Sequence, residues 1–150
     1  MTSASPLRRL IGTWSFEASS EGKFLGRGRT TFEWIEGGAF VRQRAEDEPS
    51  PDASPDWVSH SPMPVTALLG FDDSNGEMAM LYSDARGVFR IYRMSVTAEA
   101  WTVTRDNPGF SQRFVGRFQD DDATIRGRWE SSEDGTTWVP DFDMEYRKRN

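Results

Sequence analysis

Along most of the chain hydrophobic and polar residues alternate with a period near two, and turn residues interrupt the alternation roughly every 8 to 12 residues. That pattern predicts strands over residues 11–19, 25–34, 39–47, 65–71, 77–83, 88–95, 100–105, 110–119, 124–131 and 137–147. Glycine-bearing turns such as Glu21-Gly22, Gly37-Gly38, Asn75-Gly76, Arg86-Gly87 and Asp134-Gly135 separate them. Residues 5–10 read as one short helical turn, with Ser5 placed to cap it and Pro6 suited to its first position. No helix-length periodic segment lies between strands, so βαβ crossovers are excluded. The expected fold is all-β, an up-and-down antiparallel β-barrel of about ten strands with a short N-terminal helical turn, because closure removes the edges of so long a meander. One connection breaks the rhythm. Residues 48–64 hold Pro49, Pro51, Pro55, Pro62 and Pro64, five of the eight prolines, and are expected to be extended, partly mobile and placed as a lid over the barrel.

Alternation also assigns faces. Thr30, Phe32 and Trp34 share one side of the second strand, with Arg27, Arg29, Thr31 and Glu33 on the other. Phe110, Gln112, Phe114, Gly116 and Phe118 oppose Arg113, Val115 and Arg117. Ile125, Gly127 and Trp129 oppose Arg126, Arg128 and Glu130. In the last strand Trp138, Phe142, Met144 and Tyr146 oppose Asp141, Asp143 and Glu145. The implied barrel has aromatic residues inside and charges outside. The outer rows suit cross-strand pairing of opposite charges, or a site for an anionic partner. Met78, Met80 and Tyr82 share a face, as do Val88, Arg90, Tyr92 and Met94, and Trp101, Val103 and Arg105. If these faces point inward, the interior gains Tyr82, Tyr92, Arg90 and Arg105. A buried arginine needs a partner, and Asp84 is the nearest in sequence. An Arg90–Asp84 pair would be a rim ion pair, or a device that orients a ligand's polar group.

Composition narrows the classes. The chain has 150 residues, 36% of them hydrophobic and 28% charged, which suits one domain, residues 1–150. Cysteine is absent, so disulfide scaffolds, thiolate metal sites and a cysteine nucleophile are excluded. The single histidine, His60, makes a histidine-clustered metal site untenable, and no metal is expected. A net charge of −6 argues against nucleic acid as a partner. No apolar run reaches the roughly 20 residues that span a bilayer, and residues 1–14 lack the apolar core of a secretory leader. The expectation is a cytoplasmic protein that does not engage membranes. Oligomeric state stays open, a homodimer included.

Two groups of motifs carry a resemblance. Leu10-Ile11-Gly12-Thr13-Trp14 places a Gly-x-Trp after a short helical turn at the opening of the first strand, and Tyr146-Arg147-Lys148-Arg149 closes the chain. This is similar to the calycins, the superfamily of lipocalins and fatty-acid-binding proteins. The resemblance implies that Trp14 seals one end of the barrel and that Arg147 or Lys148 packs on it as a cation. The segments Asp84 to Arg90, Phe110 to Phe114, Gly127 to Gly135, and Trp138 with Asp141-Phe142-Asp143 resemble a bacterial lipocalin-like family of unknown function. That resemblance spans most of residues 10–147 and implies a barrel without naming a reaction. The distantly similar nitrobindins share a Gly-Thr-Trp start and bind haem through a histidine. This chain has no histidine near its C-terminus, so haem is not expected, and no other cofactor is implied.

The remaining motifs carry little chemistry. There is no nucleophile elbow and no phosphate-binding glycine loop. Asp120-Asp121-Asp122 lacks the liganding loop of a calcium site and reads as a hairpin turn. His60 is either an exposed loop residue or an acid–base group carried to the cavity by the lid. Function therefore rests on the interior. Trp34, Tyr82, Arg90, Tyr92, Gln112, Phe114, Trp129, Phe142 and Met144 would line a cavity suited to a small hydrophobic or aromatic molecule bearing one polar or anionic function. The alternative is a cofactor-free enzyme, a cyclase, isomerase or lyase, using His60, Tyr82, Asp84 and Arg90 in the same cavity. A third reading is a solid barrel whose arginine rows bind a partner.

Overall fold

A computed structural model describes residues 5–149. The first four residues of the segment read for a leader lie outside it. Ten strands form: β1 (Gly12–Ser20), β2 (Lys23–Ile35), β3 (Phe40–Glu48), β4 (Val65–Phe71), β5 (Met78–Asp84), β6 (Phe89–Val96), β7 (Ala100–Arg105), β8 (Ser111–Gln119), β9 (Thr124–Ser132) and β10 (Val139–Lys148). Each pairs antiparallel with its sequence neighbour, and β1 pairs with β10 to close the barrel. The alternating sequence and its glycine turns thus produce the meander they predict, with strand ends displaced by two residues or fewer. In a meander successive connections fall at opposite ends. The β1–β2, β3–β4, β5–β6, β7–β8 and β9–β10 connections surround one end, here called the mouth.

The other end is sealed. A 3-10 turn (Pro6–Leu10) opens with Ser5 accepting a hydrogen bond from the Leu7 amide at 3.2 Å. It drives Leu7 and Leu10 into the core. Trp14 is fully buried (0% exposed), and its indole donates to the Leu10 carbonyl at 2.8 Å. Lys148 is the cation on Trp14, its ammonium 5.1 Å from the ring centre. Arg9 lies over Phe118 at 4.0 Å and binds Asp122 of the β8–β9 turn. Asp120, Asp121 and Asp122 all adopt left-handed backbone, the short-turn role expected of them.

Inside, three glycines shape the space. A Cβ at Gly28 would lie 2.2 Å from the Glu46 carbonyl oxygen and 2.3 Å from the Phe16 ring. One at Gly116 or Gly127 would strike the Phe114 ring at 2.7 or 2.6 Å. Phe16 and Phe114 therefore lie down against the sheet over bare backbone instead of projecting toward the axis. Outside, the charge rows pair across strands: Arg113 with Glu130 at 2.8 Å, Arg126 with Glu145 at 2.6 Å and Arg128 with Asp143 at 2.7 Å. Exposed pairs of this kind contribute little stability each.

Two expectations fail, each for a local reason. The segment 48–64 is not simply extended: it contains α1 (Pro55–His60). Ser54 in extended backbone followed by Pro55 at the first helical position is a helix start, masked in the sequence by the surrounding prolines. In β10 the register shifts between Pro140 and Phe142, so Asp141 is an extra residue in the ladder. A bulge reverses the alternation on its far side. Trp138, expected inside, instead lies outside against the Arg113 guanidinium at 4.1 Å, and Asp141, expected outside, faces the mouth.

Candidate functional site

The barrel encloses a cavity of about 390 Å³ that opens at the mouth. This is within the ordinary range for small-molecule sites. The recumbent phenylalanines leave its centre free. Its walls are a run of ring contacts at 5.2 to 5.9 Å: Tyr82 to Tyr92, Tyr92 to Trp129, Trp129 to Phe114, and Phe114 to Trp101. Gln112, Phe142, Met144 and Arg90 also line it.

Not every expected residue does so. Trp34 packs on the core but lies off the cavity, because it is near the end of β2 at the sealed end. Arg105 also lies off it and donates to the Ile91 carbonyl at 3.2 Å. The expected Arg90–Asp84 pair does not form. Arg90 donates to Gln112 Oε1 at 3.0 Å and stacks 5.2 Å from the Phe110 ring. Asp84 binds Arg86 instead, at 2.7 Å, and accepts from the Tyr82 hydroxyl at 2.7 Å. Chain distance misled here: Tyr82 and Arg90 are cross-strand partners, but the β5–β6 turn folds Arg86 back onto Asp84.

These contacts set the protonation of the group. Burial pushes Asp84 up, but the combined hydrogen bonds from Arg86 and Tyr82 outweigh it and hold the carboxyl below its usual range. Burial, reinforced by Asp84, pushes the Tyr82 hydroxyl well above the usual phenol range. Burial also raises Tyr92, with Arg90 opposing. Both phenols are neutral donors at physiological pH. The four residues proposed for acid–base work are thus divided: Tyr82 and Asp84 bond each other, Arg90 is held by Gln112, and His60 sits on α1.

The α1 segment covers part of the mouth. Trp57 lies where Gly26 has no side chain; a Cβ there would be 2.3 Å from the indole. Trp57 meets the Phe142 ring edge-on at 5.7 Å and donates to Asp47 at 3.1 Å, while Ser61 donates to the other Asp47 oxygen at 2.6 Å. His60 lines the mouth, exposed, with Nδ1 3.1 Å from the Asp56 carbonyl oxygen.

The sequence reading missed Trp101 and Tyr146 as lining residues, although alternation had placed Tyr146 on an inward face. It also missed Asp141, which the bulge turned to the mouth, and Trp57, which the lid helix carries there. Desolvation by the rim raises the Asp141 carboxyl above its ordinary range, with Arg86 opposing. A carboxyl whose folded pKa is raised adds stability below the ordinary carboxylate range and loses it as pH rises through the raised value. Asp141→Asn should therefore melt at a higher temperature than the parent at pH 7. The difference should vanish near about pH 3, where both states are protonated. Melting curves across that range check this; a gain independent of pH would refute it.

No helix among the described residues is long and apolar enough to cross a membrane. No known family profile matches the chain, and no curated protein matches it. A solved structure does. Rv2717c from M. tuberculosis superposes with a TM-score of 0.62, covering 98% of this chain and 99% of that one at 12% identity. That likeness is one of fold.

Proposed function

We propose that the protein binds a small, mostly apolar, flat molecule inside the barrel, beneath the α1 lid. The observation that carries this reading is the cavity of about 390 Å³ walled by aromatic rings in edge-to-face and tilted contact. A solid barrel would have no such space. The sealed end, with Gly12-x-Trp14 capped by Lys148, supports placing the chain among the lipocalin-like calycins. Native mass spectrometry with a panel of hydrophobic aromatic compounds, paired with displacement of a fluorescent probe, tests the reading. Saturable uptake of one molecule per chain is expected; uptake of none by the folded protein would end it.

A cofactor-free reaction in the same cavity has one observation behind it. Asp141, its carboxyl pushed above the ordinary range by desolvation, and His60 both border the mouth, where one could give and the other take a proton. Compounds recovered chemically unchanged after prolonged incubation with the protein would count against turnover.

A further inference from the structure

The polar groups of the cavity divide by depth. Its acidic and arginine lining residues, Asp56, Arg86, Arg90 and Asp141, stand at the mouth, two of each sign. Arg86 is paired with the Asp84 carboxylate, and Arg90 donates one hydrogen bond to the neutral Gln112 amide. Deeper in, the polar side chains are uncharged.

Gln112 has a fixed orientation. It is 9% exposed, and its Oε1 accepts from Arg90 at 3.0 Å and from the Tyr92 hydroxyl at 2.7 Å. A guanidinium can only donate, so the amide oxygen must be the atom that faces it. The NH2 group is turned the other way and has no partner among the described residues. Nor is it walled in. Among the described residues the one fully enclosed side-chain nitrogen or oxygen without a partner is the Trp101 indole nitrogen. The Gln112 NH2 is therefore open to the cavity it lines, with two N–H donors to offer. The same reasoning applies to Tyr146, 6% exposed and farther along β10 toward the sealed end. Its hydroxyl bonds no described residue, lies in the cavity lining and is kept protonated by burial. Two neutral donors at different depths thus wait without partners along the aromatic walls.

We infer that the polar function of the bound molecule is an uncharged hydrogen-bond acceptor, a carbonyl on a flat aromatic skeleton, received by one of these two open donors, the Gln112 amide or the deeper Tyr146 hydroxyl. The inference rests on the cavity-binding reading above and specifies it. A carboxylate does not fit the same place. The four charges at the mouth cancel, and Asp84 beside Arg86 adds a further negative one, so an anion entering past them loses its water and meets no net positive charge. A carbonyl gives the open donors what they lack and brings no charge to bury.

Three compounds of one skeleton separate these cases: fluorene, 9-fluorenone and fluorene-9-carboxylate. Each is titrated into the full chain by calorimetry. Fluorenone should bind about fivefold to tenfold more tightly than fluorene, the usual worth of a neutral hydrogen bond, and the carboxylate more weakly than either. The double variant Gln112→Glu, Tyr146→Phe replaces the open NH2 by an acceptor and removes the hydroxyl. It keeps an oxygen for Arg90 and Tyr92, so the fold should hold, as a melting curve will show. The ketone's advantage over fluorene should disappear in it, whatever the double variant does to the affinity for the hydrocarbon itself. Equal binding of ketone and hydrocarbon, tightest binding of the carboxylate, or a ketone advantage that survives the double variant would overturn the inference and leave cavity binding standing. Uptake of none of the three would overturn the cavity reading itself.

Discussion

Replacing Trp14 with alanine is expected to cost about 3 to 5 kcal/mol of stability, the range for deleting a fully buried indole. The melting temperature should fall by roughly 10 °C in a chain of this length. Trp14 is 0% exposed and touches the structure in three ways. Its ring fills the sealed end, its indole satisfies the Leu10 carbonyl at 2.8 Å, and its face supports Lys148. Alanine removes all three and leaves a void beneath the 3-10 turn. Trp14→Phe separates the contributions. It keeps most of the bulk and loses the hydrogen bond, so it should cost about 1 kcal/mol. Denaturant titration of both variants measures the difference. A Trp14→Ala protein as stable as the parent would show that the 3-10 turn does not plug the barrel.

Ala45→Trp is expected to weaken uptake of any bound aromatic probe at least about a hundredfold, a loss of about 2.7 kcal/mol in binding. Ala45 is buried on β3 and lines the cavity, so an indole grown from it enters the space a guest would use. The stability of this variant matters as much as its binding. In a packed core so large an insertion costs about 1 to 3 kcal/mol or more. In a hollow it finds room, and filling commonly adds about 0.5 to 2 kcal/mol. An unchanged or raised melting temperature together with lost uptake is the expected pair of results. A steep loss of stability would mean that the space does not accept side-chain atoms.

The strands were legible because each one carries its own instructions. Phe114, Ile125 and Met144 face inward where period-two alternation puts them, and the turns at Gly22, Gly87 and Gly135 have the positive φ that glycine permits. Lys148 on Trp14 was legible through a family resemblance, within a choice of two adjacent residues. What alternation cannot carry is a change of phase. The extra residue at Asp141 exchanged the surroundings of Trp138 and Asp141, and Pro140 beside it, a residue that fits a bulge, does not say on which side of it the phase changes. Side-chain pairing was also illegible, since it depends on turn geometry. Asp84 is near both Arg86 and Arg90 in the chain, and the backbone bonds of the 84–88 turn decide between them. The Ser54-Pro55 helix start was present in the sequence and was outweighed by the prolines around it.

The pairing of β1 with β10 has a consequence for how the chain reaches its native state. Trp14 lies opposite Lys148, so this seam joins the first and last strands of the barrel. Hairpins such as β4–β5 and β8–β9 can form while synthesis is under way, but the last ladder must wait until the final strand has left the ribosome. Contacts of such long sequence separation slow folding, because loop entropy is lost before they form. Until then two strand edges stay unsatisfied and prone to mispairing with other chains. Shortening the chain by its last strand would strand the molecule in that open form permanently.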